Sequence, residues 1–277
     1  MPGFLVRLLP YALAFSGSFC IMILELVSSR LVAQHVGASL TVWTSVIGII
    51  LGGICLGNVL GGRLADRVEP RQAVGPLFAF STFLALSCIW VNAEVARLMP
   101  LMEGLNWELK TVVVVTLDFL IPATVLGMVG PVVAKMAVDQ SLKTGSAIGD
   151  VYFFGAIGSI VGTFIAGFIL TPLAPTSIIV QVVGVVLALL AAGLIGNRAG
   201  QILGLLTALF LALGSTAPVV RALGVGSLNL SGTPLNYLLI VGNVLSFVLA
   251  IVGLKGLRNA RSTPGSVVTA GDLAPPE

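Results

Sequence analysis

The chain predicts an all-α, polytopic membrane helix bundle of about eight spans with both termini cytoplasmic, and three observations carry that reading. Apolar residues fill 57% of 277 positions and charged residues only 9%, whereas a soluble domain carries roughly a quarter charged residues. Apolar runs recur at the length of about 20 residues needed to cross a hydrocarbon core. Lysine and arginine gather on alternate connections, the pattern that sets orientation. The net charge of +3 therefore reads as topology, and nothing in the composition supports a nucleic-acid partner.

The spans are expected near residues 8–33, 41–62, 72–92, 111–137, 149–171, 176–196, 201–220 and 235–255. With the N-terminus inside, Arg7, Arg63, Arg67, Arg71, Lys135, Lys143, Arg198, Lys255, Arg258 and Arg261 share the cytoplasmic side. Arg30, Arg97, Lys110 and Arg221 fall outside, so the basic bias is ten against four. Only about four apolar residues precede Ala12-Leu13-Ala14, too few for a cleaved leader, and the first run is read as a retained helix. Residues 1–260 make one transmembrane domain. Residues 261–277, rich in Ser, Thr, Pro, Gly and Ala, have too few large apolar side chains to bury a core and are expected to form a disordered cytoplasmic tail.

The second span carries Gly48, Gly52, Gly53, Gly57 and Gly61, small residues at a spacing that lets helix backbones approach closely. Gly155, Gly158 and Gly162 repeat the device in the fifth span, with Gly167 beyond them. Gly53, Gly57, Gly61, Gly158 and Gly162 are the packing candidates. Between spans three and four, Glu94 to Lys110 reads as a surface piece at the interface, where Trp107 is at home. The fourth span contains Pro122 and Pro131, which remove backbone donors, so a departure from regular helix is expected over residues 127–131. Spans seven and eight have blurred ends, because Pro218 and a Gly/Ser-rich loop at 224–232 interrupt them. Cys20, Cys55 and Cys88 have no metal-binding or paired spacing and read as small buried apolar residues.

Charges within such spans are rare, because desolvating them is expensive, and each marks a functional position until shown otherwise. Glu25 lies about 25 Å along the first helix from its cytoplasmic start, and Asp118 about 10 Å below the outer start of the fourth. At similar depth, the two can form an acidic pocket holding a shared proton or a small cation. Alternatively Arg30, about 140° around the helix from Glu25, reaches one of them across helices as a structural ion pair. His35 is expected to be solvated in the outer bend, and Lys135 and Asp150, at the cytoplasmic ends of spans four and five, to form a solvated pair or to leave a carboxylate at a helix N-terminus. No nucleophile–base set, cofactor motif or metal cluster stands out, so the chain is not expected to be an enzyme.

Several motifs resemble the transmembrane region of bacterial membrane-fused spermidine synthases, a major-facilitator-like group. These are Glu25-Leu26 with Arg30-Leu31, Gly37 with Ser39, Trp43-Thr44-Ser45 with Ile47-Gly48, and Gly61-Gly62-Arg63 with Ala65-Asp66-Arg67. Pro122, Gly127 and Pro131 are similar to the group's fourth span, and residues 155–170 to its fifth. The cytoplasmic loop Gly62, Arg63, Asp66, Arg67 also resembles the first half of the major-facilitator signature, while Glu69 and Pro70 depart from the second half. The aminopropyltransferase domain of the fused enzymes has no counterpart here. The resemblance implies a polyamine as the cation. The resulting expectation is a transporter-like or ligand-binding protein for a small cation, with Glu25, Arg30, Asp118 and Trp43 as candidate ligand-binding residues. The alternative is a non-transporting anchor or subunit for a separately encoded partner, such as an aminopropyltransferase-like enzyme or a membrane complex.

Overall fold

A computed structural model describes residues 2–222 and 233–262, and every regular element among them is helical. Ten α-helices follow one another: α1 (Pro2–Val36), α2 (Leu40–Ala65), α3 (Pro70–Leu98), α4 (Trp107–Gly127), α5 (Val129–Asp139), α6 (Thr144–Phe164), α7 (Thr171–Leu173), α8 (Thr176–Leu194), α9 (Arg198–Ala222) and α10 (Thr233–Ser262). A 3₁₀ turn, Met99–Met102, follows α3, and a π-helical segment, Ile165–Leu170, joins α6 to α7. Residues 223–232 and 263–277, where the Gly/Ser-rich loop and the disordered tail are expected, lie outside the described residues.

Among the described residues, six helical stretches are long and apolar enough to cross a membrane: Arg7–Val36, Leu40–Ala65, Pro70–Val95, Trp107–Asp139, Thr144–Leu173 and Thr176–Leu194. The chain is a multi-pass membrane protein. The expected seventh and eighth spans fall in α9 and α10, whose fully described residues include the apolar stretches Arg198–Leu213 and Ile240–Gly256.

Local chemistry explains the boundaries. Gly37 adopts φ +74°, a left-handed conformation that only glycine reaches without strain, and its N–H returns to the Ala33 carbonyl at 2.9 Å. Ser39 then caps α2 by accepting the Val42 N–H at 3.3 Å. Pro70 opens α3 at a position where its missing N–H costs nothing. Asn106 caps α4, its Oδ1 accepting from Leu109 N–H at 3.0 Å.

Two parallel helix pairs form the closest contacts. Down α2 and α4, Gly53 faces Leu120 and Ala123, Gly57 faces Thr124 and Gly127, and Gly61 faces Met128. A Cβ at Gly57 would strike the Thr124 carbonyl, and one at Gly61 would lie 2.7 Å from Met128 Cα. In the same way α6 lies along α1, with Gly158 on the Phe15 carbonyl and Gly162 on that of Phe19. Gly48, Gly52 and Gly167 meet nothing within 4 Å and stand on open faces. Around these pairs, α3 packs on α4, α8 and α10, and α9 packs on α8 and α10. The ends of α1 and α3 and the starts of α2, α4 and α8 share one side of the bundle, the Trp107 side. The opposite side carries Arg63.

The fourth span runs unbroken through Pro122 and is interrupted at Met128, between α4 and α5. Pro131 has no N–H to return to the Gly127 carbonyl, so the ladder fails there. The Met128 N–H is shared between the carbonyls of Thr124 (3.1 Å) and Val125 (3.2 Å). Two expectations need correction. Cys20 and Cys88 are buried, but Cys55 is exposed, because it falls on the side of α2 away from the glycine contact. His35 is half-buried in the last turn of α1, with Nε2 closed off from solvent and unpartnered.

Candidate functional site

Pro122 shapes the interior at Asp118. In a regular helix the Asp118 carbonyl would receive the N–H of residue 122, and proline has none. The Cys88 thiol of α3 fills the place, donating to the Asp118 carbonyl at 3.3 Å while also reaching the Leu84 carbonyl at 3.3 Å. The Asp118 side chain is not served in this way. The residue is only 2% exposed, and both carboxylate oxygens are buried with no hydrogen-bond partner among the described residues.

Glu25 is half-buried, with Oε2 closed off and likewise unpartnered. Gly17 of α1 lies against Val129 of α5, and α1 runs antiparallel to α4 and α5. Counting from that contact sets Ser28 level with Asp118 and Glu25 about 4–5 Å nearer the Arg63 side. Side chains leave a helix tilted toward its N-terminus. Glu25 therefore sets out toward the Arg63 side and Asp118 toward the Trp107 side. The two carboxylates share a region of the bundle, but they diverge within it.

Arg30 joins neither acid. It is exposed, and its Nη1 donates to the Thr171 carbonyl at 3.0 Å. That carbonyl is free for the same reason as the one at Asp118, because the residue four positions on is Pro175. Arg30 thus closes the end of the π-helical segment. Trp43 is 41% exposed on the outer face of α2. Beside it runs a groove of about 470 Å³ lined by Leu40, Thr41, Thr44, Ser45, Gly48, Ile49 and Val112. It includes neither Glu25 nor Asp118.

On the Arg63 side, the Asp66 N–H caps α2 by donating to the Gly62 carbonyl at 3.1 Å. Gly62 is half-buried, while the side chains of Arg63, Asp66 and Arg67 are exposed. A smaller cavity of about 210 Å³ borders this loop, lined by Glu69, Pro70, Arg71, Met136, Asp139 and Gln140. Of the two readings of Lys135 and Asp150, the pair with each other does not form. Lys135 Nζ binds Asp139 Oδ1 at 2.7 Å, one helical turn away, and Asp150 is exposed in the second turn of α6.

Three further polar residues belong to the interior. Asn92 and Ser81 of α3 and Gln181 of α8 are 4%, 1% and 1% exposed, and each has an oxygen with no partner. Their signal was present in the sequence as single amides and a hydroxyl in apolar runs. Uncharged side chains draw less attention than Glu25 or Asp118, although a buried amide without partners also carries a desolvation cost. Among the described residues, no group of three or more His, Cys, Asp or Glu is placed to hold a metal. No protein-family model, curated protein or solved structure matches the chain.

Proposed function

We propose that the protein binds a small cation within the bilayer and serves as a transporter-like carrier for it. In this reading it has eight spans and both termini in the cytoplasm of a bacterial cell, with the Trp107 side facing outward. One observation carries the proposal: the Asp118 carboxylate is buried with both oxygens unpartnered. A lone charge in such a place is untenable, and either a proton or a bound cation relieves it. The competing anchor reading needs the acid neutralised permanently, by a retained proton or by an internal base. Arg30, the base nearest in sequence to Glu25, is engaged with the Thr171 carbonyl instead. The resemblance of the first two spans adds a polyamine to the cations to be tried.

The test is uptake and equilibrium binding in proteoliposomes, comparing wild type with Asp118→Asn across protons, alkali cations and labelled polyamines. Loss of every cation response in a folded Asp118→Asn protein is the expected result. An unchanged response, or a wild type indifferent to all of them, would return the protein to the anchor reading.

A further inference from the structure

We infer that Asn92 and Asp118 together form an all-oxygen site for a dehydrated monovalent metal cation of the sodium or lithium class. The inference rests on the cation reading above and names its ligand. Helices α3 and α4 are antiparallel neighbours, and the Cys88 thiol on the Asp118 carbonyl fixes their register. Asn92 lies one turn beyond Cys88 on the same face of α3, toward the Trp107 side. Each side chain leaves its helix tilted toward that helix's N-terminus. Asp118 therefore leans toward the Trp107 side while Asn92 leans back from it, and the two converge between the levels of Cys88 and Asn92. Glu25 sets out in the other direction. Gln181 is one turn from Gly184, which meets Leu86. Leu86 is two residues from Cys88, so Gln181 approaches a different face of α3.

The side-chain oxygens at this convergence are open. Asp118 Oδ1 and Oδ2 and Asn92 Oδ1 are buried acceptors with no donor among the described residues. Oxygen-only ligation suits a hard cation. One carboxylate with a neutral amide balances a single positive charge, whereas a divalent ion would leave an excess charge desolvated. Asp118 is 2% and Asn92 4% exposed, so the site suits an ion of atomic size better than an extended polyamine.

Thermal unfolding and ²²Na⁺ binding of the purified full-length protein test this, with NaCl, LiCl, KCl and choline chloride compared at constant ionic strength and pH. Wild type should gain stability saturably with Na⁺ or Li⁺, and not with choline. Asn92→Ala and the similarly sized Asn92→Leu should each weaken Na⁺ affinity by more than about tenfold, as should Asp118→Asn. Asn92→Asp, which adds a charge, should shift preference toward Ca²⁺. Retention of the full Na⁺ response by folded Asn92→Leu, with loss in Asp118→Asn, would overturn the inference and leave the cation reading standing. So would a wild type that responds to pH through Asp118 and to no metal cation. Indifference of wild type to every cation, protons included, would remove both.

Discussion

The two sides of α4 make opposite uses of one helix. Toward α2 it offers backbone and the Ala123 methyl, with Gly53, Gly57 and Gly61 seated on Ala123 and on backbone atoms of Leu120, Thr124, Gly127 and Met128. Toward α3 it offers polar chemistry: the Cys88 thiol sits on a carbonyl freed by Pro122, and the Asp118 carboxylate has no hydrogen-bond partner among the described residues. The α2 side gains van der Waals contact with no polar group left open, which is how helices associate where lipid removes the hydrophobic drive. The α3 side leaves acceptors unmatched, an arrangement that costs stability unless something binds. One face holds the bundle together, and the other carries buried acceptors left unmatched among the described residues.

The largest effect is expected on the packing face. Gly57→Val would drive a branched side chain into the Thr124 carbonyl and the Gly127 backbone, beyond the range of about 1–3 kcal/mol usual for overpacked cores. Size-exclusion chromatography should show little folded monodisperse protein. A well-behaved variant with wild-type melting would mean that α2 is free to slide on α4.

On the polar face the sign reverses. Asp118→Asn should raise the melting temperature measured at neutral pH without added metal cations, by the equivalent of about 1–3 kcal/mol, because an amide of the same shape removes the cost of burying an acid that must take up a proton to stay there. A loss of several kcal/mol would instead reveal a partner for the carboxylate and erase the contrast between the faces. A smaller change is expected at Cys88. Cys88→Ala removes the donor to the Asp118 carbonyl and should cost about 0.5–1.5 kcal/mol, while Cys88→Ser, which keeps a donor, should restore most of it. If both behave alike in thermal unfolding, the thiol is only filling space.

The smallest effect belongs to glycines that share the motif but not the contact. Gly48→Ala and Gly52→Ala meet open space and should change stability by less than about 0.5 kcal/mol. A drop comparable to that of Gly57→Val would show that this face of α2 is covered in the membrane.

Much of this was legible beforehand, and the failures have a pattern. Glycine spacing marks helices that approach closely, yet it does not separate Gly57 from Gly52, which differ in the direction they face. Two prolines mark the fourth span as irregular, but only Pro131 breaks it. At Pro122 the freed carbonyl finds the Cys88 thiol, whose sequence context reads simply as apolar. Arg30 invites pairing with an acid, and the nearer need is the Thr171 carbonyl exposed by Pro175. Asn92 passes unnoticed because a single amide leaves little mark on a hydropathy profile.

The sequence by itself determined that the chain is all-helical and membrane-embedded, where most of its helices begin and end, and which residues carry charge into apolar surroundings. These follow from hydropathy, capping residues and proline chemistry, which act over a few neighbouring positions. Only the tertiary structure decided which freed carbonyl receives which donor, which glycines touch, and which acceptors are left without partners. Those outcomes depend on the register and rotation of helices distant in sequence, and a shift of one residue, about 1.5 Å along the axis and 100° around it, changes every partner.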